Sequence, residues 1–289
     1  MPHILLIGND GQVGYELERT LAPLGQVTAL CYPAIDFAQP DTIVRAVRAA
    51  KPTLIVNAAA YTAVDKAETD TATCWKLNAA APAILAEEAK RLGAGLVHYS
   101  TDFVFDGQKT TPYTEEDTPH PLGVYGQTKL EGDLAIRESG VPHLIFRLAW
   151  VYGRRGKNFL LTMQRLAGEG KPLRVVADQV GCPTWCRSIA EATAAALAKT
   201  QGKDNAFNLR DVSGLYNCVC SGETSWHGFA RAFTPPDIPV TPITTAAYPT
   251  PAKRPAHSAL DCSKLQRVFG VALPSWEIAL QRCLQGEIG

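Results

Sequence analysis

The sequence predicts an α/β fold: a doubly wound parallel sheet of the Rossmann type, with a second, smaller loop-rich α/β substrate domain. Three observations predict it. Short apolar runs alternate with helix-like segments along the first half of the 289-residue chain. Those runs are apolar nearly throughout, as strands covered on both faces must be. A glycine-rich turn, "IGNDGQVGYEL", joins the first run to the first helix-like segment. Right-handed crossovers wind such units into a sheet with helices on both sides.

Taken in order, "HILLIG" (3–8) reads as the first buried strand and "VTALCY" (27–32) as the second. "TLIVNAAA" (53–60), "GLVHYSTD" (95–102) and "HLIFRLAWVYG" (143–153) follow. Helices are expected over 15–24, 41–50, 65–91 (broken) and 125–138. After residue 153 the rhythm changes. "NFLLTMQRLAGEG" reads as a helix, "KPLRVVADQVGCPTW" as strand and loop, "SIAEATAAALAKT" (188–200) as a helix, and "AFNLRD" as a late strand. From Thr234 prolines crowd in, giving loops suited to shaping a pocket. The expected division is 1–153 plus about 187–210 for the dinucleotide-binding domain, and about 154–186 plus 211–289 for the substrate domain.

Composition narrows the class. The chain is 46% hydrophobic and 19% charged with zero net charge, which suits a large globular core and disfavours nucleic acid as partner. "MPHILLIGND" lacks the basic flank and cleavage site of a signal peptide, and no apolar run approaches the roughly 20 residues that span a bilayer. The expectation is a cytoplasmic protein with no membrane partner. The eight cysteines form no C-x-x-C. "CPTWC" and "CVC" could meet around zinc, but reduced thiols are the preferred reading.

The glycines of the turn, Gly8, Gly11 and Gly14, allow a tight bend and close approach of a pyrophosphate to a helix N-terminus. A purely structural turn is the alternative. The end of the second strand, "TALCYPAI", offers neither an acid for a ribose hydroxyl nor an arginine for a 2′-phosphate, so NADPH and NADH both stand as cofactor. Asp36 and Phe37 follow; Asp36 fits an adenine contact and a turn cap equally. "NAAAYT" (57–62) ends the third strand at the same sheet edge, its alanines admitting a cofactor or a packed helix.

"VYGQTKLEG" spaces Tyr125 and Lys129 four apart on one helix face, and Thr101 ends a neighbouring strand. Reduction of a carbonyl needs a proton donor for the oxygen. A tyrosine can serve if a nearby ammonium lowers its pKa. Lys129 is expected to do this and to hold ribose hydroxyls, while Thr101 donates to the carbonyl oxygen. Gly126 beside the tyrosine is expected to leave room for the cofactor.

These residues resemble the extended short-chain dehydrogenases/reductases. The segments "VNAAAYTAVDKAE", "VHYSTDFVFDG", "DQVGCPT", "TSWHGFA" and "YPTPAKRP" narrow the resemblance to the dTDP-4-dehydrorhamnose reductase family, along nearly the whole chain. The resemblance implies reduction of a C4 keto group on a nucleotide sugar by NAD(P)H. It implies Thr101, Tyr125 and Lys129 as catalytic residues. It puts Gly11, Gln12, Val13, Asp36, Phe37, Ala60, Tyr61, Thr62 and Tyr99 beside the cofactor, with Gly8 in the turn. Asp102 and Trp150 would face the sugar, although a core role suits Trp150 as well. Arg254 would pair with the diphosphate, with a plain surface role as the alternative.

Two departures matter. Many relatives carry tyrosine where this chain has Phe103. Some relatives join subunits through magnesium held by glutamates; Glu16 matches one, while Arg187 and Gly286, with Glu287 adjacent, fall on the others. No metal is therefore expected. The partner is a small-molecule substrate, with a homodimer as the candidate assembly. Two other readings remain: a non-catalytic subunit resembling the regulatory subunit of methionine adenosyltransferase, and a nucleotide-sugar epimerase or dehydratase.

Overall fold

The computed structural model describes residues 1–203 and 205–286. Its centre is a six-stranded parallel sheet. Five strands are β1 (His3–Ile7), β2 (Gln26–Leu30), β3 (Leu54–Asn57), β4 (Gly95–Thr101) and β5 (His143–Leu148), and the sixth is Gly214–Asn217. The spatial order is Gly214–Asn217, β5, β4, β3, β1, β2, every neighbouring pair parallel. The order reverses at β1, which lies between β2 and β3, and ligands bind outside the strand ends at such a switch point.

Side chains along each strand alternate between two cores. Ile4 and Leu6 of β1 face one core with Leu17, Leu21, Ile189 and Leu197. Leu5 and Ile7 face the other with Ile43, Val47, Leu85 and Ile136. Helices α1 (Gln12–Leu21) and α8 (Cys186–Thr200) thus cover the first face. Helices α2 (Pro40–Ala50), α5 (Ala81–Leu92) and α6 (Val124–Ser139) cover the second. The run expected to be helical and broken, 65–91, is α3 (Val64–Ala67), α4 (Thr71–Trp75), a π turn at Lys76–Ala80, and α5. The π turn carries Asn78, whose side chain clamps the backbone of Tyr61 by accepting from its N–H at 2.8 Å and donating to its carbonyl at 3.0 Å. Helix α7 (Phe159–Gly168) matches the expected segment, and a helix of equal length spans Trp276–Gln285.

Two expectations change. The run 143–153 is not one strand. It ends at Leu148, and Trp150 turns the chain through a left-handed conformation, φ 44°, before Val151–Tyr152 pairs with Thr184–Trp185. "AFNLRD" forms no strand; within it Phe207 makes one isolated bridge with Gln201. The sixth strand is "GLYN", just past a 3-10 turn at Arg210–Val212, where Tyr216 Oη donates to the Val212 carbonyl at 2.6 Å. Four residues containing a glycine and an asparagine carry too little apolar pattern to announce a strand. The sheet's last strand therefore comes from the stretch assigned above to the substrate domain.

The later segments form small pairings. Leu173–Val176 runs parallel to Val240–Ile243, and Val180–Gly181 antiparallel to Thr224–Ser225. No helix among the described residues is long and apolar enough to cross a membrane.

Candidate active site

A cavity of about 820 Å³ opens at the carboxyl ends of the strands. Its two ends are set by strand register. Leu30, Ile7, Asn57 and His98 stand level across β2, β1, β3 and β4. Thr101 lies three residues past His98, about 10 Å further out at ~3.3 Å per residue. The strand holding Thr101 therefore overhangs the crevice where the glycine turn sits.

At the crevice the chain keeps side chains out of the way. Gly8 has φ +88°, and a Cβ there would stand 2.7 Å from the Ala59 nitrogen. A Cβ on Gly14 would stand 2.0 Å from the Gly8 carbonyl oxygen. Gly11 begins α1 with no side-chain cap, so the first amides of the helix point at the cavity floor with no side-chain partner at the cap. These residues fit the pyrophosphate of a dinucleotide. Gln12, Val13, Phe37, Ala60 and Thr62 line the same space. Asp36 lines it too, but its carboxylate accepts from the Ala38 N–H at 2.9 Å and the Gln39 amide at 3.0 Å. The turn-cap role is thus filled. Tyr61 is not on the cavity wall: Asn78 holds its backbone, and its hydroxyl donates to Asp70 at 3.1 Å.

At the other end stand Tyr99, Thr101, Asp102, Tyr125, Lys129 and Trp150, all on the wall. Burial pushes the Tyr125 hydroxyl's pKa up, and its hydrogen bond with Thr101 is the opposing influence. Lys129, expected to tune this tyrosine, makes its own hydrogen bonds elsewhere. Lys129 is buried, its Nζ 2.6 Å from the Tyr99 carbonyl and 3.1 Å from His98 Nε2. Burial pulls this amine down to about 8, against the pull of Asp133. Burial, and then the Lys129 charge, hold the His98 imidazole well below its usual range. His98 is oriented in turn by Asn57, whose own oxygen accepts from the Ala59 N–H.

Gly126 also has a different purpose from the expected one. A Cβ there would stand 2.1 Å from the Phe103 carbonyl oxygen, so its smallness lets α6 pack on the turn after β4. Phe103 itself meets the Tyr125 ring edge-on at 5.5 Å.

Asp102 is 2% exposed. Burial pushes its carboxyl up to about 6, opposed first by Ser258 and then by Thr101. Trp150 stacks on Trp226, ring centroids 3.5 Å apart and 3° from parallel. Trp226 shares the cavity wall and was not singled out; its only signal was its place in "TSWHGFA". Arg254 lines the cavity, but Asp65 takes its fork, at 3.0 and 2.8 Å. The segments "VNAAAYTAVDKAE" and "YPTPAKRP" thus meet through one ion pair. Arg254 clasps Asp65 from the cavity wall. Arg155 and Lys157 are further cations on the wall that sequence reading passed over.

The residues at the magnesium positions do not fit a cation. Glu16 Oε2 lies 3.0 Å from Arg187 Nε and 3.7 Å from an Arg19 nitrogen, and Gly286 offers no side chain. Glu287 lies outside the described residues. Among the described residues no group of three His, Cys, Asp or Glu could hold a metal, and all eight cysteines are free thiols.

A glycine turn at the β1–α1 junction, with a tyrosine and lysine on α6 beside a strand-end threonine, defines a short-chain dehydrogenase/reductase of the extended type. The comparisons narrow this. The RmlD substrate binding domain model matches residues 2–288, and the chain belongs to that family, which includes the dTDP-4-dehydrorhamnose reductases. It is 48% identical to the dTDP-4-dehydrorhamnose reductase of Burkholderia thailandensis, over 98% of each chain. A solved dTDP-4-dehydrorhamnose reductase from Clostridium acetobutylicum is 35% identical with TM-score 0.89, over 98% of each chain. The Bacillus anthracis reductase, solved in complex with NADP, is 29% identical with TM-score 0.89, over 99% of each chain.

Proposed function

We propose that the protein reduces the C4 keto group of dTDP-4-dehydro-L-rhamnose to give dTDP-L-rhamnose, using NADPH or NADH, with Tyr125 as proton donor. The observation that carries this is the convergence of Thr101, Tyr125 and Lys129 on one cavity whose far end is a side-chain-free glycine cradle. The reductases to which the chain is similar bear that activity in their names, and one was solved with NADP.

When bound, the nicotinamide supplies a hydride to the carbonyl carbon. Tyr125 gives its hydroxyl proton to the carbonyl oxygen as charge develops there. Thr101, on the same cavity wall, would donate to the carbonyl oxygen as charge develops. Lys129, anchored on the Tyr99 carbonyl and His98, presents a fixed amine to the cavity. Gly8, Gly11, Gln12 and Val13 would hold the pyrophosphate, with Phe37, Ala60 and Thr62 lining the cofactor's path. Asp102 and Trp150 would meet the sugar. Arg254 would serve the diphosphates, with Arg155 and Lys157 on the same wall. The segments 154–186 and 218–289 would form the sugar-binding part, with Gly214–Asn217 left in the sheet. A homodimer is the assembly we propose, in the cytoplasm. Product analysis by NMR after incubation with the 4-keto sugar nucleotide, run with each cofactor, tests the reaction. Formation of a 4-hydroxy product with stoichiometric cofactor oxidation is expected; an unreduced sugar overturns it.

A further inference from the structure

We infer that Asn158, at the start of α7, is a positioning residue for the cofactor: its side-chain amide holds the Gln12 amide oxygen, so that the Gln12 NH2 group is left to donate to the dinucleotide's pyrophosphate. The inference rests on the reductase reading above and deepens its cofactor site.

Each amide fixes the next. Asn158 caps α7, its Oδ1 accepting from the Leu161 N–H at 3.0 Å. A backbone N–H can only donate, so the capping atom must be the oxygen. The Asn158 nitrogen then faces the other way. Its Nδ2 donates to Gln12 Oε1 at 2.8 Å and to the Gly153 carbonyl at 2.9 Å, with the Arg155 carbonyl further off at 3.3 Å. An amide NH2 can only donate, so Gln12 must present its oxygen to Asn158. Gln12 Nε2 is left with two N–H donors and no hydrogen-bond partner among the described residues.

That free donor stands where an anion is expected. Gln12 is the first residue of α1 and lines the cavity. Gly11 ahead of it supplies no side-chain cap, and the turn at Gly8 and Gly14 has no room for side chains. The first amides of a helix carry partial positive charge and bind phosphate oxygens. An NH2 group beside them adds one more donor. The reversed amide would set an acceptor against the pyrophosphate oxygens instead. An untied amide could turn either way, and binding would have to select one orientation at an entropic cost.

The loop ahead of Asn158 is built to keep this arrangement. A Cβ on Gly156, φ +75°, would stand 3.3 Å from Gln12 Cγ, and one on Gly153 would stand 3.6 Å from Gln12 Oε1. Two glycines thus let the loop close around the Gln12 side chain. Between them the Arg155 guanidinium lies 3.6 Å from the centre of the Tyr15 ring, one turn along α1. Asn158 is not on the cavity wall, so it acts through Gln12. Because it also caps α7, one side chain connects the part proposed to bind the sugar with the turn proposed to bind the cofactor, across 146 positions of sequence.

The test is a mutant cycle read by NADPH fluorescence titration, with no sugar present. Asn158→Ser keeps an oxygen to cap α7 but is too short to reach Gln12. It should raise Kd for NADPH about fivefold, the scale of one neutral hydrogen bond. Gln12→Ala, which removes the donor itself, should raise it about tenfold, and adding Asn158→Ser to it should cost no more than about twofold further. A loop merely loosened by the serine would cost as much in either background. Multiplying losses, or an Asn158→Ser protein with wild-type Kd, therefore overturn the inference. Nitrogen-15 NMR reads the amide directly. The Gln12 side-chain NH2 resonance, assigned by its loss in Gln12→Ala, should move when NADPH is added to the wild type, and a resonance that stays in place overturns the inference. A wild type that reduces no sugar while the cycle and the resonance behave as expected assigns the failure to the reductase reading instead.

Discussion

The two ends of the cavity are made of different materials. The crevice between β1 and β3 is backbone: Gly8, Gly11, Gly14 and the alanines after β3 form it by leaving side chains out. The end over β4 and α6 is side chains: Thr101, Asp102, Tyr125 and Lys129, held by His98, Ser258 and the Tyr99 carbonyl. A backbone cradle tolerates no added atom, whereas a side-chain site tolerates shape changes but not a lost proton or donor. Substitutions at the two ends should therefore fail in different ways.

The largest effect belongs to the side-chain end. Tyr125→Phe should lower turnover by about 10²–10⁴-fold, the range for a removed general acid. The ring and its edge contact with Phe103 remain, so the unfolding midpoint should barely move. Steady-state kinetics beside thermal unfolding checks both halves. Full turnover would sink Tyr125 as donor, and a collapsed midpoint would show that the two ends do not differ as described.

Gly14→Val should fail in the opposite manner. Its Cβ would meet the Gly8 carbonyl oxygen at 2.0 Å, backbone against backbone, so the turn or the helix must move. A stability loss of about 3 kcal/mol is expected, the upper range for overpacking, together with weaker cofactor binding. Denaturant unfolding and a cofactor titration read the two. A variant that kept its stability and bound cofactor normally would show that the cradle has slack.

The same contrast explains what the sequence made legible. The glycine turn and the Tyr125/Lys129 pair are local patterns, readable because one helix or one turn sets their geometry. The first five strands followed from apolar runs, but "GLYN" is too short to show a pattern. What stayed hidden was long-range: Ser258 on Asp102, Arg254 on Asp65, Trp226 on Trp150. No periodicity links residues that far apart. The turn of Lys129 toward His98 was hidden for a related reason, since it depends on how α6 lies against β4.

Arg254→Ala tests a link from the cavity wall to Asp65 on α3. The pair with Asp65 is bidentate, but the side chains keep 23% and 42% of their exposure, so screening limits its worth to about 1 kcal/mol. Its hydrogen bond with Arg254, foremost among several influences, holds the Asp65 carboxyl below its usual value. A depressed carboxyl adds stability above its unfolded pKa and loses it as pH falls through the folded one. The difference between wild type and variant should thus be present at pH 7 and shrink below about pH 4. Denaturant unfolding at both values checks it, and a difference that grew in acid would show that the clasp is not ionic.

The smallest effect expected is none. Removing divalent ions with EDTA, or adding millimolar magnesium, should change neither turnover nor the unfolding midpoint. A divalent ion needs several oxygen ligands. Here Glu16 is 8% exposed with Arg187 at 3.0 Å and Arg19 at 3.7 Å, so the charge a cation would balance is already balanced by guanidinium. An ion arriving at Glu16 would first have to displace Arg187, whose guanidinium also lies 5.0 Å over the Trp185 ring. Differential scanning fluorimetry with and without magnesium reads this directly. A rise of several degrees with magnesium would mean that the arginine gives way, and that Glu16 is a ligand held in reserve rather than one half of an ion pair.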